Sequence, residues 1–221
     1  MILGLEEPPR NDLTLEERLA LIAPGATARL KPYFQAAQVP YPPVAATLVG
    51  LKAEKLLQLY ARGPAPDGPW KLVHTYQILA ASGHLGPKLK EGDRQVPEGV
   101  YGIDLLNPNS KFNVSMRVSY PNAFDKARAT EEHRTDLGGA IMIHGRHSSI
   151  GCLAMGDPVS EELFTLAHAI GIENVFVVIA PVDLRAKPRP AQDGGPKWLP
   201  RLYDQIDAAL KPLPLPEGSA S

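Results

Sequence analysis

Apolar residues recur along this chain in two rhythms, and the change between them comes at residue 45. Before it, Leu15, Leu19 and Ile22 share one face at helical spacing, and Thr14 with Glu17 three residues later has the form of a capping box. A short helix is therefore predicted over 14–22, with Glu16, Glu17 and Arg18 on its solvated side. Leu30, Phe34 and Ala37 repeat in the same way and predict a second helix over 26–38, with Pro32 near its first turns. Together they make an N-terminal helical extension, 1–43.

From residue 45 the apolar runs shorten and alternate with turn signals, at 46–51, 55–61, 70–79, 99–105, 112–120 and 140–144. Asp67-Gly68-Pro69 predicts a hairpin turn between the second and third runs. This rhythm predicts a mainly β fold with flanking helices, an antiparallel sandwich or barrel, over 44–185. Helical spacing returns at Asp157-Pro158, where Asp157 suits a cap, Pro158 the first helical position, and Leu163, Phe164, Ala167 and Ile170 one apolar face. A buried strand at 175–179 follows. The last part, 186–221, reads as a Pro/Gly-rich connection, a helix over 198–210, and a frayed tail that includes Pro212 to Pro216.

Composition narrows this picture. With 221 residues, 44% hydrophobic and 21% charged, the chain can bury one sizeable core. Its 23 prolines, clustered as in Val39-Pro40-Tyr41-Pro42-Pro43, argue against long uninterrupted helices. Lys and Arg (23) balance Asp and Glu (24), so long-range electrostatics favour no polyanion and nucleic acid is not an expected partner. No stretch approaches the ~20 apolar residues of a membrane span. Met1 to Leu5 is too short and too quickly acidic for a signal peptide, so the expectation is a cytoplasmic chain or one whose leader has been removed.

The candidate chemistry lies in residues 141–157. Alternation places Ile141 and Ile143 on one strand face and Met142 and His144 on the other, and Gly145 ends the run at His144. Seven residues separate His144 from Cys152, the single cysteine, so a short loop can bring imidazole and sulfur together. A free thiol titrates near 8.5, so a nucleophilic cysteine needs a neighbouring base to become thiolate at neutral pH. Gly151 permits close backbone approach, and the Gly151 and Cys152 amides can serve an oxyanion. Two other readings stand beside this one: a buried cysteine packed with Leu153, Ala154 and Met155, and a zinc site of His144, His147 and Cys152. The zinc spacing matches no standard pattern and lacks an evident fourth ligand.

His144-Gly145 and Ser149-x-Gly151-Cys152 resemble the signature of the L,D-transpeptidase catalytic domain, the YkuD family. Gln95-Val96-Pro97-Glu98-Gly99-Val100-Tyr101 is similar to its Thr-Pro-Glu-Gly-x-Tyr turn, preceded by Gly86-Pro87-Lys88 and Gly92-Asp93, and Ser119 to Asp125 resembles the segment after the next strand. Ile150 stands where the common signature has histidine, and Ala154 where it has Arg or Asn; Leu153 to Asp157 is instead similar to the divergent YafK-like branch.

The resemblance implies Cys152 as nucleophile, His144 as base, the Gly145 carbonyl as its orienting group and the Gly151 amide beside the sulfur. It implies peptidoglycan peptide stems as substrate, with a wall-linked lipoprotein as a further partner, the periplasm as location, and no metal or organic cofactor. Transpeptidation and hydrolysis at diaminopimelate both remain open, as does a non-catalytic wall-binding module. Arg146, or Arg117, is a candidate anchor for a stem carboxylate, Ser149 a donor near the sulfur, and Tyr120 with Asp125 a wall of the cleft.

Overall fold

The computed structural model describes residues 13–65, 67–149, 151–191 and 195–216. Helix α1 (Leu15–Ala36) opens on the expected capping box of Thr14 and Glu17, but it is one helix and not two, running through both Pro24 and Pro32. Each interior proline removes a hydrogen bond and crowds the carbonyl four residues back, at a cost of about 3 kcal/mol. Against this, Leu19, Ile22, Ala26, Leu30 and Phe34 form one continuous buried stripe. Four of these side chains are large, and burying each contributes about 1.5–3 kcal/mol. Packing therefore overrides the local breakers that predicted two helices.

Eight strands follow among the described residues: β1 (Ala45–Leu51), β2 (Leu56–Arg62), β3 (Lys71–Gln77), β4 (Gly99–Ser110), β5 (Asn113–Val118), β6 (Met142–His144), β7 (Leu153–Ala154) and β8 (Val175–Ala180). They form a single sheet in the order β3-β2-β1-β8-β4-β5-β6-β7. The mainly β class read from the sequence is the class observed. β4 carries the sheet around its bend: Gly99 to Gly102 pair with β8, and the ladder with β5 starts at Ile103. Beyond β3, at one end of the order, Ala80 forms an antiparallel bridge with Ala154 of β7 at the other end. That bridge gives the sheet its barrel-like character.

β1 and β8 lie side by side in parallel and are covered on both faces. Ala46, Leu48, Val175, Val177 and Ile179 face one core with α1 and with α3 (Asp157–Ile170), while Val49, Leu51, Val178 and Ala180 face a second core under α4 (Leu199–Leu210). Strands buried on both sides read as unbroken apolar runs. Helix α2 (Ala123–Glu131) was not foreseen, although Asn122 and Asp125 close a capping box at its start.

Two local expectations change. The N-cap of α3 is Gly156, and Asp157 lies inside the first turn, where its carboxylate accepts from the Arg146 amide at 2.7 Å. The stretch Pro212 to Pro216 is not frayed throughout. Leu213 is buried, and the Pro214 carbonyl accepts from the Tyr60 hydroxyl at 2.9 Å and from Arg185 at 3.1 Å. The terminal residues 217–221, also read as tail, and residues 1–5, judged too short for a signal peptide, lie outside the described residues. No helix among the described residues is long and apolar enough to cross a membrane.

Candidate active site

Short strands at one end of the sheet order assemble the site. β6 pairs antiparallel with β5 and parallel with β7, with Ile143 opposite Leu153 and His144 opposite Ala154. Continuing that register by one residue places Cys152 beside Met142, on the strand face that residues 142 and 144 share. Strand spacing and rise put the Cα atoms of His144 and Cys152 about 8 Å apart, within the combined reach of the two side chains. The Met142 amide donates to the sulfur at 3.4 Å, which places Cys152 beside Met142.

His144 is buried, its ring packed against Phe112 at 4.6 Å between centroids. Its Nδ1 is 2.6 Å from the Gly145 carbonyl oxygen. A carbonyl can only accept, so Nδ1 carries the proton and Nε2 keeps its lone pair. Burial pushes the imidazolium pKa below its ordinary value, against the opposing pull of that carbonyl, so the ring is neutral at pH 7. Gly145 can be nothing larger: a Cβ there would run into the Asp157 carboxylate and the Phe112 carbonyl. The glycine thus lets the backbone lie where its carbonyl can hold the ring.

The Cys152 side chain is half-buried. Burial raises its thiol pKa, while the Met142 N–H and the charge of Lys88 act in the other direction. Sulfur also lies 3.7 Å from the Ala140 carbonyl, and no direct hydrogen bond joins it to the His144 ring. The turn before it is closed by Ser149, whose hydroxyl accepts from the Cys152 amide at 2.9 Å and donates to the Cys152 carbonyl at 2.5 Å. Gly151, at φ 87°, donates its amide to the Ser82 hydroxyl at 2.6 Å. Both amides expected to face an oxyanion are therefore engaged by serine hydroxyls in this structure, and an oxyanion at either must displace one.

The remaining candidates separate. Arg146 is exposed, with φ 56°, and lines a groove of about 550 Å³ with His147 and Pro158 at the start of α3. Tyr120 is buried, and its hydroxyl donates to the Leu137 carbonyl at 3.1 Å and lies 3.4 Å from that of Lys88. Asp125 is buried in the α2 capping box, and burial pushes its carboxyl up to about 6. Arg117 is paired with Asp104 at 2.7 Å. Ala154 is fully buried and its amide bonds the Ala80 carbonyl at 3.0 Å. Ile150, at the position of the signature histidine, lies outside the described residues. Among the described residues no group of three or more His, Cys, Asp or Glu side chains is placed to hold a metal ion. Ser82 and Lys88 were not singled out by sequence reasoning as parts of this site. Their approach to it depends on contacts far apart in sequence, 69 residues in the case of Ser82 and Gly151.

Residues 48–179 match the profile of the L,D-transpeptidase catalytic domain, YkuD. The chain is 36% identical over 171 residues to YafK of Escherichia coli strain K12, itself provisionally named an L,D-transpeptidase. That alignment covers 73% of this chain and 66% of YafK, so the chain spans just under two thirds of its curated relative. Among solved structures, the helical cell shape determining protein Pgp2 of Campylobacter jejuni is similar at 25% identity and a TM-score of 0.50, over 67% of this chain and 51% of Pgp2. The K307A mutant of Pgp2, at 21% identity and a TM-score of 0.50 over 76% of this chain and 59% of that one, shares the fold. By its motifs, its sheet and these matches, the chain belongs to the YkuD family of L,D-transpeptidase catalytic domains.

Proposed function

We propose that this chain is a cysteine acyltransferase acting on peptidoglycan peptide stems in the periplasm. The observation that carries this reading is a buried imidazole, fixed through Nδ1, on the strand whose Met142 amide donates to the half-buried Cys152 sulfur. His144 Nε2 takes the thiol proton, and the Cys152 thiolate attacks the carbonyl at the L-centre of the diamino acid in a tetrapeptide stem. The carbon–nitrogen bond to D-alanine breaks, the imidazolium returns its proton to the departing amine, and a thioester remains. The amine of a second stem, or of a lysine on an anchored lipoprotein, then resolves the thioester and forms a cross-link. Arg146 and Ser149 are the substrate-binding residues of this scheme, and Tyr120 supports the loop carrying Lys88.

Hydrolysis is the second reading, with water in place of the acceptor amine and release of a wall-linked peptide or lipoprotein. It draws support from Ala154. The position where the common signature carries Arg or Asn offers here only a buried methyl group.

Digestion of muropeptides and lipoprotein-linked wall fragments with the protein and with Cys152→Ala, read by mass, separates these outcomes. Loss of terminal D-alanine with a new cross-link is expected; release of a linked peptide with gain of water would instead assign hydrolysis. Identical products from Cys152→Ala would remove the nucleophile. A carbapenem adduct that forms only after denaturation would favour a wall-binding module.

A further inference from the structure

The loop between β3 and β4 holds a charged pair that the cysteine–histidine scheme does not use. Lys88 is only 5% exposed, and its ammonium donates to Asp93 Oδ1 at 2.6 Å and to the Lys90 carbonyl at 2.8 Å. Asp93 also accepts from the amides of Leu89, Lys90 and Gln95, all within 3.0 Å. Burial alone would raise its carboxyl, but Lys88 and these amides hold it below the usual carboxylate range, so Asp93 stays ionised. Two of the three N–H donors of Lys88 are thereby engaged, and the third has no partner among the described residues. Burying an ammonium carries a large desolvation penalty, and closing this loop would need only a neutral donor.

This loop lies against the nucleophile turn. The Ser82 hydroxyl accepts the Gly151 amide and donates to the Arg94 carbonyl at 2.7 Å. On its other side Gly151 abuts the Gln95 carbonyl, which a Cβ at 151 would meet at 3.6 Å. The turn 93–95 is therefore packed on the residue preceding Cys152, with Lys88 locked behind it. The field of the ammonium reaches the sulfur and opposes the burial that raises the thiol. His144 supplies a positive charge only after it has accepted the thiol proton, whereas the lysine is charged beforehand.

We propose that Lys88, held in place by Asp93, is a positioning residue for the thiol chemistry: a fixed cation that stabilises the Cys152 thiolate once its proton has moved to His144. In that step the S–H bond breaks, an N–H bond forms at Nε2, and the negative charge that appears on sulfur meets the field of a cation already fixed behind the 93–95 turn. The inference rests on the Cys152 reading above. The other ionisable groups on the elements around the sulfur include His144 on β6, Arg117 on β5 opposite Met142 and paired with Asp104, Asp157 at the start of α3, Asp93, whose charge offsets part of the lysine field, and the exposed His84, Arg94, Arg146 and His147.

The test reads thiol ionisation through the rate of alkylation by iodoacetamide between about pH 5 and pH 10. Lys88→Met is expected to raise the midpoint by about one pH unit, Asp93→Asn to lower it by about half a unit, and Lys88→Arg to keep it near the parent value. Opposite signs are the signature, since mere loosening of the loop would shift both variants the same way. An unmoved midpoint in folded Lys88→Met, or a rise in Asp93→Asn, overturns the proposal. Should Lys88→Met not fold, the sign of the Asp93→Asn shift decides alone. Alkylation requires no wall substrate, so failure of the acyl-transfer reading appears separately, as unchanged muropeptide products from Cys152→Ala with the lysine-dependent shift intact.

Discussion

The middle of the sheet and its β6–β7 end are built by different forces. In β1 all seven residues are buried, and its partner β8 is apolar along its whole length, so this pair is held by burial on two faces at once. β6 and β7 are three and two residues long. The turn between them is held by polar contacts from side chain to backbone: Ser149 to Cys152, Ser82 to Gly151, Asp157 to Arg146 and His144 to Gly145. The scaffold is thus rigid where it is apolar, and the reactive groups lie where single hydrogen bonds set their orientation. Stability and chemistry should be separable by mutation.

Cys152→Ala is expected to abolish acyl-adduct formation, read by intact mass after carbapenem, while changing unfolding free energy by less than about 1 kcal/mol. Leu48→Ala, in the middle of the sheet, should do the reverse. It should cost about 2–5 kcal/mol in urea unfolding with adduct formation retained by the folded fraction. A Cys152→Ala protein as damaged as Leu48→Ala would mean that the sulfur is a core atom and not a reagent.

His144→Gln tests the same contrast one residue type further on. Loss of a general base typically costs 10²–10⁴-fold in rate, and the adduct should form that much more slowly. Because burial depresses the folded pKa of His144, the parent rate should hold through neutral pH and fall only on the acid side of about 6.5. The linkage has the matching sign: a depressed histidine contributes stability above its unfolded value of about 6.5 that is lost as pH falls through the folded one. That acid-side slope in urea midpoints should flatten in His144→Gln.

How far the sequence reached follows the same division. The β1, β2 and β8 segments were legible because burial leaves apolar runs, and His144 and Cys152 because they lie eight positions apart in one motif. Helix α1 was split in two because proline is a local signal, whereas the stripe from Leu19 to Phe34 draws its stability from partners elsewhere in the core. Helix α2 was missed although Asn122 and Asp125 spelled its start, since it buries only Asp125 and Ala129 and has no apolar face to read. Lys88 and Ser82 were invisible as site residues for a related reason: nothing nearby in sequence says that the β3–β4 loop folds onto the cysteine. The proline argument predicts that Pro24→Ala should stabilise the protein, by up to about 3 kcal/mol, seen as a higher urea midpoint. An unchanged or lower midpoint would indicate that the helix already accommodates the ring without loss.

The smallest effect separates a turn that merely connects from one that presents the sulfur. Ser149 makes two bonds to one residue, accepting from the Cys152 amide and donating to its carbonyl. Removing the hydroxyl should cost only about 1–2 kcal/mol of stability, since a half-exposed turn can be rewetted. Ser149→Ala also frees the Cys152 amide, one of the two N–H groups an oxyanion would use. If Ser149 were only a brace, alkylation and carbapenem acylation would slow together as the turn loosened. If its hydroxyl fills an oxyanion position at rest, the two should part: alkylation, which builds no oxyanion, stays near the parent rate, while acylation changes by several-fold. Equal changes in both would leave the β6–β7 turn as scaffold, no different in kind from the strands at the middle of the sheet.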